Sequence, residues 1–109
     1  MISPLAFYKC LSEETRLNSL LLIYEQRELC VCDLTEALGL SQPKISRHLA
    51  ELRRCRIVID ERRGKWVYYK LHPALPAWAS RVLGLTAKAE AGSLSAARAR
   101  MKGLARDCC

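Results

Sequence analysis

Six cysteines in 109 residues are the first sign of chemistry in this chain. Cys30 and Cys32 stand one residue apart in "ELCVCDL", Cys108 and Cys109 are neighbours at its end, and Cys10 and Cys55 stand singly. Residues 1–9 show no charged leader followed by an apolar run, so export is not expected. Thiols kept in a reducing compartment bind metals or act in redox chemistry more often than they build a disulfide framework. The bland alternative is that each is a small buried hydrophobe. That alternative is weakest for Cys30 and Cys32, whose close spacing suits chelation. On a regular helix the two side chains would point roughly 200° apart, so they converge on one atom only where the backbone is extended, turned or unwound. His48 and His72 are isolated and make a poor case for zinc.

The elements around the thiols follow from caps and periodicity. Residues 4–10 read as a short first helix. Ser12 is the expected N-cap of the next, with Glu13 and Glu14 at the positive end of its dipole. Leu17, Leu20, Leu21 and Tyr24 recur at helical spacing, and that helix is expected to end near Gln26. Asp33 and Glu36 have capping-box spacing, which predicts a third helix burying Leu34, Ala37 and Leu38 and ending at Gly39. Ser41 then caps a fourth helix with Pro43 in its first turn and Ile45, Leu49 and Leu52 as its buried seam. Two helices joined by so tight a glycine-containing turn form a helix-turn-helix. "IVIDE" and "KWVYYKL", separated by Arg62-Arg63-Gly64, read as a hairpin with a basic tip. The expected fold is therefore mainly α with a β-hairpin wing, a winged helix-turn-helix.

Pro73 and Pro76 precede a last helix with Leu75, Trp78, Val82 and Leu85 on one side, a stripe assigned to contact with a second copy of the chain. Residues 1–86 form the expected DNA-binding and dimerisation domain. Residues 87–109 are an Ala/Arg-rich tail without a convincing apolar face, and their composition gives no support for order. No run of apolar residues is long enough to cross a membrane.

Charge is distributed to match. Residues 41–70 carry nine Lys/Arg against three acids, a local +6 within a net charge of +7, whereas residues 12–37 carry two against six. One basic stretch on a polar molecule suits a polyanion. Ser41, Gln42, Lys44, Ser46 and Arg47 are the candidates for the major groove, since Gln matches adenine and Arg or Lys guanine at the base edge. Arg62, Arg63 and Lys65 are the candidates for phosphate or the minor groove. Two copies would read an inverted repeat in double-stranded DNA.

"ELCVCDL", "SQPKISRHLAELR" and "RRGKWVYYKL", in that order, resemble the arsenic-responsive branch of the ArsR/SmtB metal-sensing repressors over roughly residues 5–85. The resemblance implies a cytoplasmic homodimer held by its first and last helices. It would leave its operator when trivalent arsenic or antimony, or a methylated arsenical, binds cysteine thiolates, with no catalytic cofactor. The best-known arsenical pattern has a third cysteine where this chain has Thr35. A third thiolate would then come from Cys55, Cys10, Cys108 or Cys109. Cys55 is set among arginines that favour its thiolate.

The expected coupling is that a chelate at Cys30 and Cys32 demands a non-helical geometry where the third helix begins, so that inducer and operator compete. The alternatives are a zinc-, cadmium- or oxidant-sensing repressor of the same fold, and a small thiol oxidoreductase. The second is disfavoured by CxC in place of CxxC and by the lack of a redox scaffold. An RNA-binding protein would need aromatics exposed on a sheet platform.

Overall fold

The computed structural model describes residues 2–102. Six helices surround a small sheet in the order α1 (Pro4–Leu11), α2 (Glu14–Gln26), β1 (Glu28–Cys30), α3 (Val31–Leu38), α4 (Gln42–Arg54), β2 (Val58–Arg63), β3 (Trp66–Leu71), α5 (Ala77–Ala89) and α6 (Ser95–Lys102). It is the expected winged helix-turn-helix.

Cap chemistry sets most boundaries. Ser3 Oγ accepts from Ala6 N at 3.2 Å, and Pro4 opens α1 where its missing N–H costs nothing. Ser12 was expected to start α2. Instead its hydroxyl donates back to Lys9 O at 2.7 Å and closes α1, while the Glu13 carboxylate accepts from Arg16 N at 2.9 Å and caps α2. A carboxylate at that end also faces the positive pole of the helix, which decides between two adjacent polar candidates. Gly39 adopts φ 66°, the left-handed cap foreseen for α3. Ser41 caps α4 as expected, its Oγ accepting from Lys44 N at 3.4 Å.

The core is continuous. Phe7 of α1, Leu20, Leu21, Leu22 and Ile23 of α2, Leu34 of α3, and Ile45, Leu49 and Leu52 of α4 are fully buried. The seam expected on α4 is the one observed. On α5 the inner residues are Ala79, Leu83 and Ala87, at helical spacing. The stripe expected there is split: Trp78 and Val82 are half-buried, while Leu85 faces solvent at 69% exposure.

Two elements escaped the sequence. Residues 28–30 form β1, antiparallel to β3 with Leu29 opposite Tyr69 and Cys30 opposite Tyr68, so the sheet has the order β1-β3-β2. Arg27 makes the sharp exit from α2 at φ 75°. Residues 95–102 form α6, which packs on α3. Leu94, Ala97 and Met101 join the main core, supplying the apolar face that composition had not revealed. Arg100 reinforces the contact by donating Nε and Nη2 to Ala37 O at 2.9 and 2.6 Å. Arg98 pairs with Glu25 of α2 at 3.2 Å.

Candidate metal centre and nucleic-acid interface

The third helix is capped three residues earlier than expected, at Cys30 in place of Asp33, and that shift builds the thiol site. Cys30 is both the last residue of β1 and the N-cap of α3, with φ −92° and ψ 169°. Asp33 is therefore the third helical residue, and its Oδ2 accepts from Cys30 N at 3.2 Å, reaching back to an amide the helix cannot pair. Because Cys30 is extended and Cys32 helical, the two side chains turn to the same side. Their Sγ atoms lie 3.3 Å apart. That separation is well beyond the ~2.05 Å of a disulfide bond, so the two sulfurs touch without being bonded to each other. Convergence, which the spacing allowed only off a regular helix, thus occurs across the strand–helix junction with the first turn of α3 intact.

Among the described residues, Cys30, Cys32 and Asp33 are the one group of three His, Cys, Asp or Glu side chains whose ligand atoms lie within 4.8 Å of one another. The sulfurs are soft donors and the carboxylate a hard one, already engaged at the cap. The set therefore fits a thiophilic centre better than magnesium or calcium. Thr35, at the place of the third cysteine in the arsenical pattern, donates Oγ1 to Cys32 O at 2.8 Å and offers no sulfur. Cys10 and Cys55 carry free thiols, one buried and the other half-buried, and neither belongs to this group. Cys108 and Cys109 lie outside the described residues.

The thiols open into a cavity of about 250 Å³. Its walls are Cys30, Val31 and Cys32 on one side, Gln42 at the start of α4 on another, and Lys65, Trp66 and Val67 of the wing on a third. One small space therefore touches the helix-turn-helix and the wing together. Trp66 and Gln42 had no assigned role beside the thiols. The signal was missing because their placement depends on β3 pairing with β1, and β1 was not foreseen.

The residues expected in the major groove all lie off the buried seam of Ile45, Leu49 and Leu52 on α4. Ser41, Gln42 and Arg47 are exposed, and Lys44 and Ser46 are half-exposed. His48 turns inward instead. Its Nδ1 lies 3.3 Å from Arg16 Nη1 and 3.7 Å from Glu13 Oε1, and burial pulls its pKa below the ordinary histidine value.

The wing differs from the expected tip. β2 continues through Arg63, which pairs with Trp66, so the turn is Gly64-Lys65 with Gly64 at φ 64°. A two-residue turn of this kind needs a positive φ that only glycine adopts freely. Arg62 Nε donates to Gly64 O at 3.3 Å, and Lys65 Nζ lies 5.3 Å from the Trp66 ring centroid. Arg63 is the exception among the three basic residues. It donates to both oxygens of Glu28 at 2.5 and 2.8 Å and to Glu61 at 3.2 Å, with its guanidinium 4.6 Å from the Tyr68 ring centroid. Glu61 also accepts from Lys70 Nζ at 3.0 Å, and these two cations, Arg63 first, hold its carboxyl at about 2. Arg63 thus ties the wing to β1 and to the thiol-bearing junction.

The family model described as "Bacterial regulatory protein, arsR family" matches residues 13–60. The arsenic resistance transcriptional regulator ArsR1 of Pseudomonas putida is 54% identical over 76% of this chain, which spans 65% of that relative's length. The arsenic resistance transcriptional regulator ArsR2 of the same organism is 48% identical over 95% of this chain and 90% of its own length. Among solved structures, the AntR antimony-specific transcriptional repressor superposes with a TM-score of 0.65 at 30% identity, covering 82% of this chain and 79% of that one. With a relative 48% identical over 95% of this chain and 90% of its own length, the chain belongs to the ArsR family of bacterial regulatory proteins.

Proposed function

We propose that the chain is a transcriptional repressor that acts as a homodimer on an inverted-repeat operator in the cytoplasm. A trivalent arsenical or antimonial, held by Cys30 and Cys32, releases it. The relatives named for arsenic and antimony support the inducer class, and the soft donor pair supports it on chemical grounds. The observation that carries the proposal is the cavity in which two sulfurs in contact face Gln42 and Lys65–Val67. An occupant of that space presses on the start of the reading helix and on the wing at once. Release therefore does not need α3 to unwind, as the spacing had suggested; it needs α4 and the wing to separate.

A methylated arsenical has two positions left for sulfur and is satisfied by this pair. A bare trivalent centre takes a third donor, to be sought by replacing Cys10, Cys55, Cys108 and Cys109 in turn. On the protein side, Gln42, Lys44 and Arg47 read base edges, while Ser41, Ser46, Arg62 and Lys65 hold phosphate. Leu5, Tyr8 and Leu85 lie exposed on α1 and α5 and supply the apolar surface that a second copy covers.

The test is release of a fluorescent palindromic operator fragment by arsenite, antimonite, methylarsenite, zinc and cadmium. The unsubstituted dimer lets go with the trivalent arsenicals and antimonite. Cys30→Ser/Cys32→Ser binds the same fragment and holds it at every arsenite concentration. Undiminished release from that variant refutes the proposal.

A further inference from the structure

Two touching sulfurs account for two of the three bonds of a trivalent arsenic, and the walls around them bear on the third. Thr35 commits its hydroxyl to Cys32 O at 2.8 Å, and the Asp33 carboxylate accepts from Cys30 N at 3.2 Å. What the fold sets beside the sulfurs is an aromatic ring. β1 ends at Cys30, opposite Tyr68, whereas β3 starts at Trp66, so β3 runs past the end of β1 and borders open space there. Val67, Tyr69 and Leu71 pack on the core, and the alternation of a strand turns Trp66 and Tyr68 to its other face. Directly opposed residues share a face, which places Cys30 on that of Tyr68 and Trp66. Trp66 is half-buried, with Lys65 Nζ over its ring 5.3 Å from the centroid. Val31, Trp66 and Val67 are the apolar walls of the 250 Å³ cavity that the sulfurs enter, and Gln42 and Lys65 are its polar ones. An apolar cavity of about 150 Å³ is enough to hold benzene.

We propose that Trp66, with Val31 and Val67, seats the carbon substituent of a trivalent arsenical, so that the cavity selects aryl arsenicals by the ring they carry. The inference rests on Cys30 and Cys32 being the metalloid ligands. Capture is a condensation. Two As–S bonds form, the two As–OH bonds of the hydrated arsenical and the two S–H bonds break, and two waters leave. Arsenic stays trivalent and keeps its As–C bond, and no oxidant is consumed. The substituent then lies against the wing, in the space between Trp66 and the start of α4.

The test compares the concentrations of phenylarsine oxide, methylarsenite and arsenite that half-release the operator fragment. The ratio of midpoints within one protein is the readout, because a change in operator affinity cancels from it. Trp66→Ala lowers the preference for phenylarsine oxide over arsenite by about 10-fold, the order lost with an aromatic contact and its buried area. Trp66→Phe restores most of that preference, and the ratio of methylarsenite to arsenite moves less in either variant. In the unsubstituted chain, nuclear Overhauser contacts join the phenyl protons of the bound arsenical to the Trp66 indole, a readout that needs no variant. An unchanged ratio in Trp66→Ala, or bound phenylarsine oxide with no contact to Trp66, overturns the proposal and leaves the thiol ligands standing. Release of Cys30→Ser/Cys32→Ser by all three arsenicals instead refutes the thiol reading, and the seat falls with it.

Discussion

At the scale of single residues, the site depends on where one helix starts. A start at Asp33 would have left Cys30 and Cys32 on a loop; a start at Cys30 makes one the cap and the other a member of the first turn. The residues for either start were visible, since Asp33 and Glu36 have capping-box spacing and so do Cys30 and Asp33. What selects the earlier start is β1, which delivers Cys30 already extended and already paired opposite Tyr68. Glu61 shows a similar dependence on distant partners. Arg63 and Lys70 hold its folded pKa at about 2, below the ordinary 4.5. A carboxylate depressed in the fold contributes its stabilisation fully above the unfolded value and loses it as pH falls toward the folded one. The wing should therefore be unaffected at neutral pH and loosen in acid as pH drops from about 4.5 toward 2. A carboxyl-carbon NMR titration should place the Glu61 midpoint well below 4.5. A midpoint in the ordinary glutamate range would show that the ion-pair network does not persist in solution.

At the scale of elements, the helices were largely legible and the pieces stabilised from afar were not. The seam of α4, the glycine stop of α3 and the hairpin follow from local pattern, because period, cap and turn chemistry act within a few residues. β1 has only three residues and owes its existence to β3, which lies far along the chain. The α6 face, with Leu94, Ala97 and Met101, is too sparse to register as a stripe and is stabilised by packing against α3. The wing shows why composition alone overstates charge. Arg63 counts as basic, yet it is shared between Glu28 and Glu61. Arg62→Ala/Lys65→Ala should weaken binding to every sequence and flatten the salt dependence, by about 0.9 in log–log slope for each phosphate no longer neutralised. Arg63→Ala should change that slope less and lower the melting temperature instead, because it frees β1 from the hairpin. Equal slope changes from these two variants would mean that Arg63 leaves its carboxylates to meet DNA.

At the scale of the whole molecule, the proposed function assigns one face to a second copy and another to a polyanion. Phe7, Tyr8 and Trp78 form an aromatic cluster between α1 and α5, with Phe7 and Trp78 edge to face at 5.1 Å. Leu5 and Leu85 continue that surface outward at 66% and 69% exposure. Leu85→Asp should leave the protomer folded, shift the sedimentation pattern from dimer to monomer and abolish tight operator binding. A dimer that survives this change would move the interface elsewhere. The basic stretch of residues 41–70 falls on α4 and the wing. The thiol cavity is lined by both of these elements, and the proposed function sets ligand and operator against each other there. Linkage makes that opposition reciprocal. The most direct test is to measure arsenite affinity for the free dimer and for the dimer saturated with its operator. Operator-bound protein should bind arsenite more weakly, by the same factor by which arsenite weakens operator binding, about 5- to 150-fold for a coupling of this kind. Equal arsenite affinity with and without DNA would contradict the account.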